Sequence, residues 1–261
     1  MTRGGTLAFD IETIDAALPD GVDRDLTNSA HVELFCVCVG HRPAPGEPVD
    51  HEVFFRDGTE PAAELDVISR TVEWLERRGG DELLSYNGRS FDCPHLRERA
   101  QIAAEACEDK PSQTGYDVSE AGYDVADRVE SLFRATEHVD LLERVHEPFR
   151  TVHGYRPPFE RACEALEVPV ERTPLTEYDF GDVDLAANRS TVDATKPYLL
   201  GADVPTLGPR YLELADAGAT DTKTFRELEA MFAHYARTDV EPLFSLADRR
   251  PFDRAFAAAS E

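Results

Sequence analysis

The chain is poor in lysine. Lys110, Lys196 and Lys223 are its only three, and 27 basic residues face 52 acidic ones, for a formal net charge of −25. Affinity for nucleic acid comes largely from Lys and Arg contacts to phosphate, so this balance argues against unassisted coating of nucleic acid. Cys36, Cys38, Cys93, Cys107 and Cys163 form no C-x-x-C pair. That speaks against a zinc site or a disulfide framework and for reduced, mostly buried thiols. The N-terminus has no signal-peptide core and no apolar run approaches a membrane span, so the expected compartment is the cytoplasm.

What is present is a hydrophobic fraction of 41% over 261 residues. That is enough for one large α/β domain or two small ones. No linker divides the chain clearly, and the expectation is one domain over 1–250 with a tail over 251–261. The acids are spread along the sequence rather than gathered in a tail, as in proteins of salt-loving cells. In molar salt the Debye length falls to about 3 Å, so distant carboxylates there repel little and local contacts dominate.

Strand signals come early, over 6–10, 32–40 and 52–56. The proline-rich loop 41–48 is too short for a helical crossover and implies an antiparallel connection. Leu65, Ile68, Val72 and Leu75 recur at helical spacing and predict a helix over Pro61–Arg78, ended by Gly79-Gly80. A buried strand follows at 83–86, then a helix over 92–107 with Pro94 in its first turn. A strand over 138–142 and helices over 158–166 and 222–246 complete the pattern. Two acidic stretches, 108–129 and 171–205, read as insertions. The first repeats Gly115-Tyr116-Asp117-Val118 as Gly122-Tyr123-Asp124-Val125. It reads as a mobile loop, with a lid of base-stacking tyrosines as the sharper alternative.

The most informative motif is Phe9-Asp10-Ile11-Glu12-Thr13, in an apolar run from Leu7. Side chains alternate across a strand, so Asp10 and Glu12 share one face. Two acids so placed repel each other unless a cation lies between them. About ten such acid pairs are expected from composition alone, so this pair is set apart only by its apolar neighbours. A second segment, Asn87-Gly88-Arg89-Ser90-Phe91-Asp92-Cys93-Pro94, places Asp92 where a loop enters a helix, a position that also suits an N-cap. A third lies on the last long helix, where Phe225, Leu228, Phe232, Tyr235 and Asp239 step by three and four along one face. A carboxylate on that stripe is unfavourable unless paired or bound to a cation.

Taken together and in this order, the three segments resemble those of the DEDD exonuclease superfamily, from Asp10 to Asp239. The second segment is most similar to the exonuclease domain of family B DNA polymerases and its stand-alone relatives. The resemblance implies a ribonuclease-H-like fold, with a mixed sheet whose first three strands are antiparallel and the rest parallel, flanked by helices. It implies that Asp10, Glu12, Asp92 and Asp239 bind two divalent ions, Mg²⁺ or Mn²⁺. It also implies that Asn87 and Phe91 line the cleft near a 3′ terminus, and that Asp140 supports the site from behind.

The superfamily divides on whether a tyrosine or a histidine orients the water, and both occur here. At about 100° per residue, Tyr235 lies roughly 40° from Asp239 around the helix and His234 roughly 140° away, which selects Tyr235. The implied activity is 3′→5′ hydrolysis of single-stranded nucleic acid, DNA favoured, to nucleoside 5′-monophosphates. It would act alone or with a helicase or repair partner. Two rivals are an exoribonuclease or oligonucleotide-trimming enzyme with the same site, and a non-catalytic interaction module. Scarce basic residues are the one departure from expectation; Arg89 and Arg237 are candidates for phosphate contact.

Overall fold

The apolar run at the N-terminus becomes the central strand of a five-stranded sheet. The structure, a computed structural model, describes residues 4–19, 21–108 and 118–259. Strand β1 (Thr6–Asp15) pairs antiparallel with β2 (Val32–Arg42), and β2 pairs antiparallel with β3 (Asp50–Phe55). On its other side β1 runs parallel to β4 (Glu82–Ser85), and β4 parallel to β5 (Glu137–Asp140). The order β3-β2-β1-β4-β5 is the mixed sheet expected from the sequence, compatible with a ribonuclease-H-like fold.

Helices cover both faces. Leu7, Phe9 and Ile11 of β1 pack toward α1 (Pro61–Arg78), α2 (Asp92–Glu108) and α3 (Val118–Ala135). Ala8 and Ile14 face the opposite core, built with α4 (Leu141–His153), α5 (Phe159–Ala165), α6 (Val204–Asp216), α7 (Lys223–Ala247) and α8 (Phe252–Ala259). Asp10 and Glu12 lie between Ala8 and Ile14 in the alternation, so they share this second face. Thr222 caps α7 by accepting the Phe225 N–H at 3.3 Å. Phe225, Leu228 and Phe232 bury the predicted stripe.

A bulge in β2 fixes how the helices sit over the acids. Glu12 is opposite Cys36 and Thr13 opposite Leu34, so Phe35 is the extra residue. Phe35 and Cys36 then both face the α4–α8 core. The Phe35 ring meets Phe232 of α7 edge-on at 4.7 Å and Tyr211 of α6 at 5.4 Å. The anchor for α6 and α7 therefore lies beside Glu12.

Four stretches differ from the sequence expectation. Part of the stretch 108–129, read as a loop, belongs to α3, which buries Val125, Val129 and Leu132 against the face opposite Asp10 and Glu12. Tyr123 is exposed on that helix, away from the acids, and Tyr116 lies outside the described residues. Leu141 and Leu142, read as strand, open α4, because the Asp140 carboxylate accepts the Leu142 N–H at 3.0 Å and caps the helix. Helix α6 follows the irregular stretch 171–205. Residues 252–259, read as tail, form α8, whose Phe252 and Phe256 are buried. All five cysteines are free, and no helix among the described residues is long and apolar enough to cross a membrane.

Candidate metal centre

The sheet opens where the acids stand. Parallel pairing between β1 and β4 ends at Ala8 and Leu84, while β1 continues to Asp15. Beyond that point no strand among the described residues lies on the β4 side of β1, and its backbone must find other partners. Asp92, at the start of α2, supplies one: its Oδ1 accepts the Ile11 N–H at 3.2 Å. Asp92 is nearly fully buried.

The turn leading to Asp92 is built for close approach. Asn87 adopts a left-handed conformation with φ 71°, which Asn tolerates better than most residues. A Cβ at Gly88 would run into the Ser85 side chain and lie 3.3 Å from Asp92 Oδ2. Asp140, at the end of β5, clamps the turn from below. It accepts the Asn87 N–H at 2.9 Å and the Arg89 N–H at 3.0 Å, besides the Leu142 N–H. Asp140→Ala would strip acceptors from three backbone donors at once, at a cost of about 3 kcal/mol. Thermal melts in molar KCl test this; a melting point within a degree of wild type would refute it.

Helix α7 brings Asp239 over the strand. One carboxylate oxygen from each of Asp10, Glu12 and Asp239 lies within 4.8 Å of the other two. Asp92 is not one of these three, but its charge is the strongest of the neighbouring charges on Asp10. Burial first, then the Asp92, Glu12 and Asp239 charges, push the Asp10 carboxyl well above the usual carboxylate range. Burial, Asp239 and Asp92 do the same to Glu12. Asp239 is pushed up to about 7 by burial and the Glu160 carboxylate, against the opposing Arg172 guanidinium. Asp92 also reaches about 7 through burial, although the hydrogen bond from Ile11 holds it down. Carboxyls this close together, Glu12 and Asp92 buried and Asp10 and Asp239 partly so, do not all ionise readily unaided, and an oxygen-only donor set fits a hard divalent cation. Across the strand pair, burial likewise raises the thiols of Cys36 and Cys38.

Tyr235 stands one turn before Asp239, and its side chain acts to lower the Asp239 carboxyl against the burial that raises it. Both line a small cavity of about 60 Å³ with Glu160, Arg172, Leu200 and Gly201. His234 points elsewhere. Its Nδ1 lies 2.9 Å from the Tyr178 hydroxyl and its Nε2 3.8 Å from Glu171, in a separate cavity of about 450 Å³ that Arg237 also lines. Arg237 is engaged with the Ala233 carbonyl at 3.0 Å and His51 at 3.4 Å, while Arg89 is exposed beside Glu143.

Asn87 and Phe91 separate. The Asn87 side chain accepts a hydrogen bond from Arg156 at 2.9 Å and borders a cavity of about 240 Å³ with Asp140 and His146. Phe91 packs against the α1–α3 core and edge-on to His95 at 4.5 Å. Glu160 and Arg172, beside Asp239, carry no motif in the sequence. Glu160 sits in the first turn of α5, where an acid is ordinary, and its only local signal is the preceding Pro157-Pro158 pair.

A mixed sheet flanked by helices, with a partly buried acidic cluster able to hold a metal ion over its central strand, defines an α/β protein with a candidate metal centre. No protein-family model matches the chain, and no curated protein sequence does. Among solved structures it is similar to the family B DNA polymerase from the hyperthermophilic archaeon Pyrobaculum calidifontis, at 19% identity and a TM-score of 0.45. The similarity covers 97% of this chain and 27% of the polymerase, so this chain spans well under a third of that protein's length.

Proposed function

We propose that the chain is a metal-dependent 3′→5′ exonuclease that hydrolyses terminal phosphodiester bonds of single-stranded nucleic acid, DNA favoured, to nucleoside 5′-monophosphates. The observation that carries this reading is the convergence of Asp10, Glu12 and Asp239 to within 4.8 Å in a place where burial raises each carboxyl. Asp10, Glu12 and Asp239, with Asp92 beside Asp10, would hold two ions, Mg²⁺ or Mn²⁺. Bound ions of this kind activate water as a nucleophile and offset charge on the leaving oxygen.

The chain's own groups have distinct tasks in this scheme. Asp92 fixes the open edge of β1 through Ile11, and so fixes the spacing of Asp10 and Glu12. Burial, followed by the Glu12 and Asp239 charges, pushes the Tyr235 phenol well above its ordinary value. Tyr235 therefore stays protonated at neutral pH and serves as a hydrogen-bond donor that orients water, not as a base.

The test is a gel assay of 5′-labelled single-stranded DNA and RNA in molar KCl with Mn²⁺. A ladder shortening from the 3′ end is expected, and a 3′-blocked oligonucleotide should resist. The DNA and RNA lanes decide the substrate preference. Tyr235→Phe should lower kcat by about 100- to 1,000-fold, the range for one positioned catalytic hydrogen-bond donor. His234→Ala should stay near wild type, and the reverse pattern would assign the water to His234.

A further inference from the structure

The irregular stretch 171–205 is ordered around one buried ion pair. The Arg189 guanidinium pairs with Asp203, with Nε 2.7 Å from Oδ1, and both side chains are almost fully buried. Arg189 also donates to the backbone carbonyls of Lys196 at 2.8 Å and Tyr198 at 3.0 Å. Asp203 Oδ2 accepts the Leu200 N–H at 2.8 Å. Two short segments then lie antiparallel: the Leu175 N–H donates to the Pro197 carbonyl and the Leu199 N–H to the Thr173 carbonyl, each at 2.9 Å. This pairing sets Arg172 over the Tyr198 ring, with its guanidinium carbon 4.8 Å from the ring centroid.

These residues form one wall of a groove of about 640 Å³, and α5 forms the other. Arg161, Arg172, Lys196 and Tyr198 line it. Glu160, Val170, Arg172 and Leu200 also line the small cavity beside Tyr235 and Asp239, so the groove adjoins the side of the acidic centre where Asp239 stands. In a chain with only three lysines, one lysine, two arginines and a tyrosine share this one groove.

We propose that this groove is the track for the single-stranded substrate leading to the metal centre, with Tyr198 stacking on a base and Arg172 and Lys196 taking backbone phosphates; the proposal rests on the nuclease reading above. Each cation now has an acidic partner: Arg172 with Glu160 at 3.2 Å, Lys196 with Asp193 at 2.6 Å, and Arg161 with Glu164 at 2.5 Å. Arg172, Lys196 and Arg161 are 45%, 35% and 60% exposed, so a phosphate can reach them by exchanging partners. In molar salt such exposed pairs contribute little, and releasing them costs little. Aromatic stacking keeps its strength in salt, which suits Tyr198 to carry most of the affinity in this acidic protein.

The test is fluorescence anisotropy with fully phosphorothioated, fluorescein-labelled oligothymidylate and oligouridylate, with Mn²⁺ across a KCl series. It is paired with kcat and KM on ordinary oligonucleotides and on a dinucleotide. Tyr198→Ala should weaken binding about 10-fold at every salt concentration, and Tyr198→Phe should restore it. Lys196→Ala should weaken binding by a factor that shrinks as KCl rises. KM for long substrates should rise with kcat unchanged, and the dinucleotide should be cleaved as before. Binding of both probes unchanged in Tyr198→Ala and Lys196→Ala, or no binding by the wild type, would overturn the proposal. Hydrolysis with unchanged KM would remove the track and leave the nuclease reading. Binding sensitive to Tyr198 without any hydrolysis would do the opposite.

Discussion

Asp10→Ala is expected to abolish hydrolysis and, in the metal-free protein at pH 8, to raise the melting temperature. The two effects share one cause. Asp10 is pressed by burial and by three neighbouring carboxyls, Asp92, Glu12 and Asp239, so its charge is among the least favourable in the fold. A cation reverses that, and a group so placed serves the bound state at the expense of the empty one. Loss of one ligating carboxylate should cut turnover by about a thousandfold or more. Without metal, removing the buried charge should stabilise the protein by about 1 kcal/mol, near 3 °C for a chain of this size. Parallel gel assays with Mn²⁺ and thermal melts in EDTA read both. A variant that still hydrolyses, or that melts lower than wild type in EDTA at pH 8, would sink the account.

The parts of this site that were legible in the sequence are those with local signatures. Alternation in Leu7 to Ile11 marked the central strand, and the three-and-four stepping from Phe225 to Asp239 marked the helix above it. Helix geometry alone separated Tyr235 from His234, and the two side chains do point into different cavities. What was illegible depends on long-range contact. Asp140 shows as a polar residue ending a strand; that its carboxylate collects N–H groups from a turn some fifty residues earlier is visible only in three dimensions. Helix α3 was hidden because Val125, Val129 and Leu132 form a narrow stripe among acids and a repeated Gly-Tyr-Asp-Val. The bulge at Phe35 left no mark, since an apolar strand reads the same with or without an extra residue. The wall holding Arg172 and Tyr198 depends on Arg189 and Asp203, which are fourteen residues apart and unremarkable alone.

The second large effect is the pH dependence of stability without metal. An unfolded aspartate loses its proton near 3.8, whereas folded Asp92 and Asp239 hold theirs up to about 7. Between those values the folded state binds more protons than the unfolded one, so raising pH favours unfolding. The stability these groups lend is complete below pH 4, is lost as pH rises toward 7, and stays lost above it. One carboxyl displaced from 3.8 to about 7 corresponds to about 4 kcal/mol, or roughly 10 °C in melting temperature. Two histidines shifted by desolvation pull the other way. Burial lowers His95 and His138, so the unfolded state binds the extra proton and their contribution falls as pH drops through the ordinary histidine range. Asp92→Asn separates the two, because its amide oxygen can still accept the Ile11 N–H while the titrating proton is gone. In EDTA and molar KCl, wild type should lose stability from pH 5 to 8 more steeply than Asp92→Asn. Saturating Mn²⁺ should abolish that extra slope, since a cation favours the ionised carboxylates and adds stability as pH rises. Parallel pH profiles for the two proteins in EDTA would overturn the raised Asp92 carboxyl, and an extra slope that Mn²⁺ leaves untouched would mean that the acids over β1 are not a cation site.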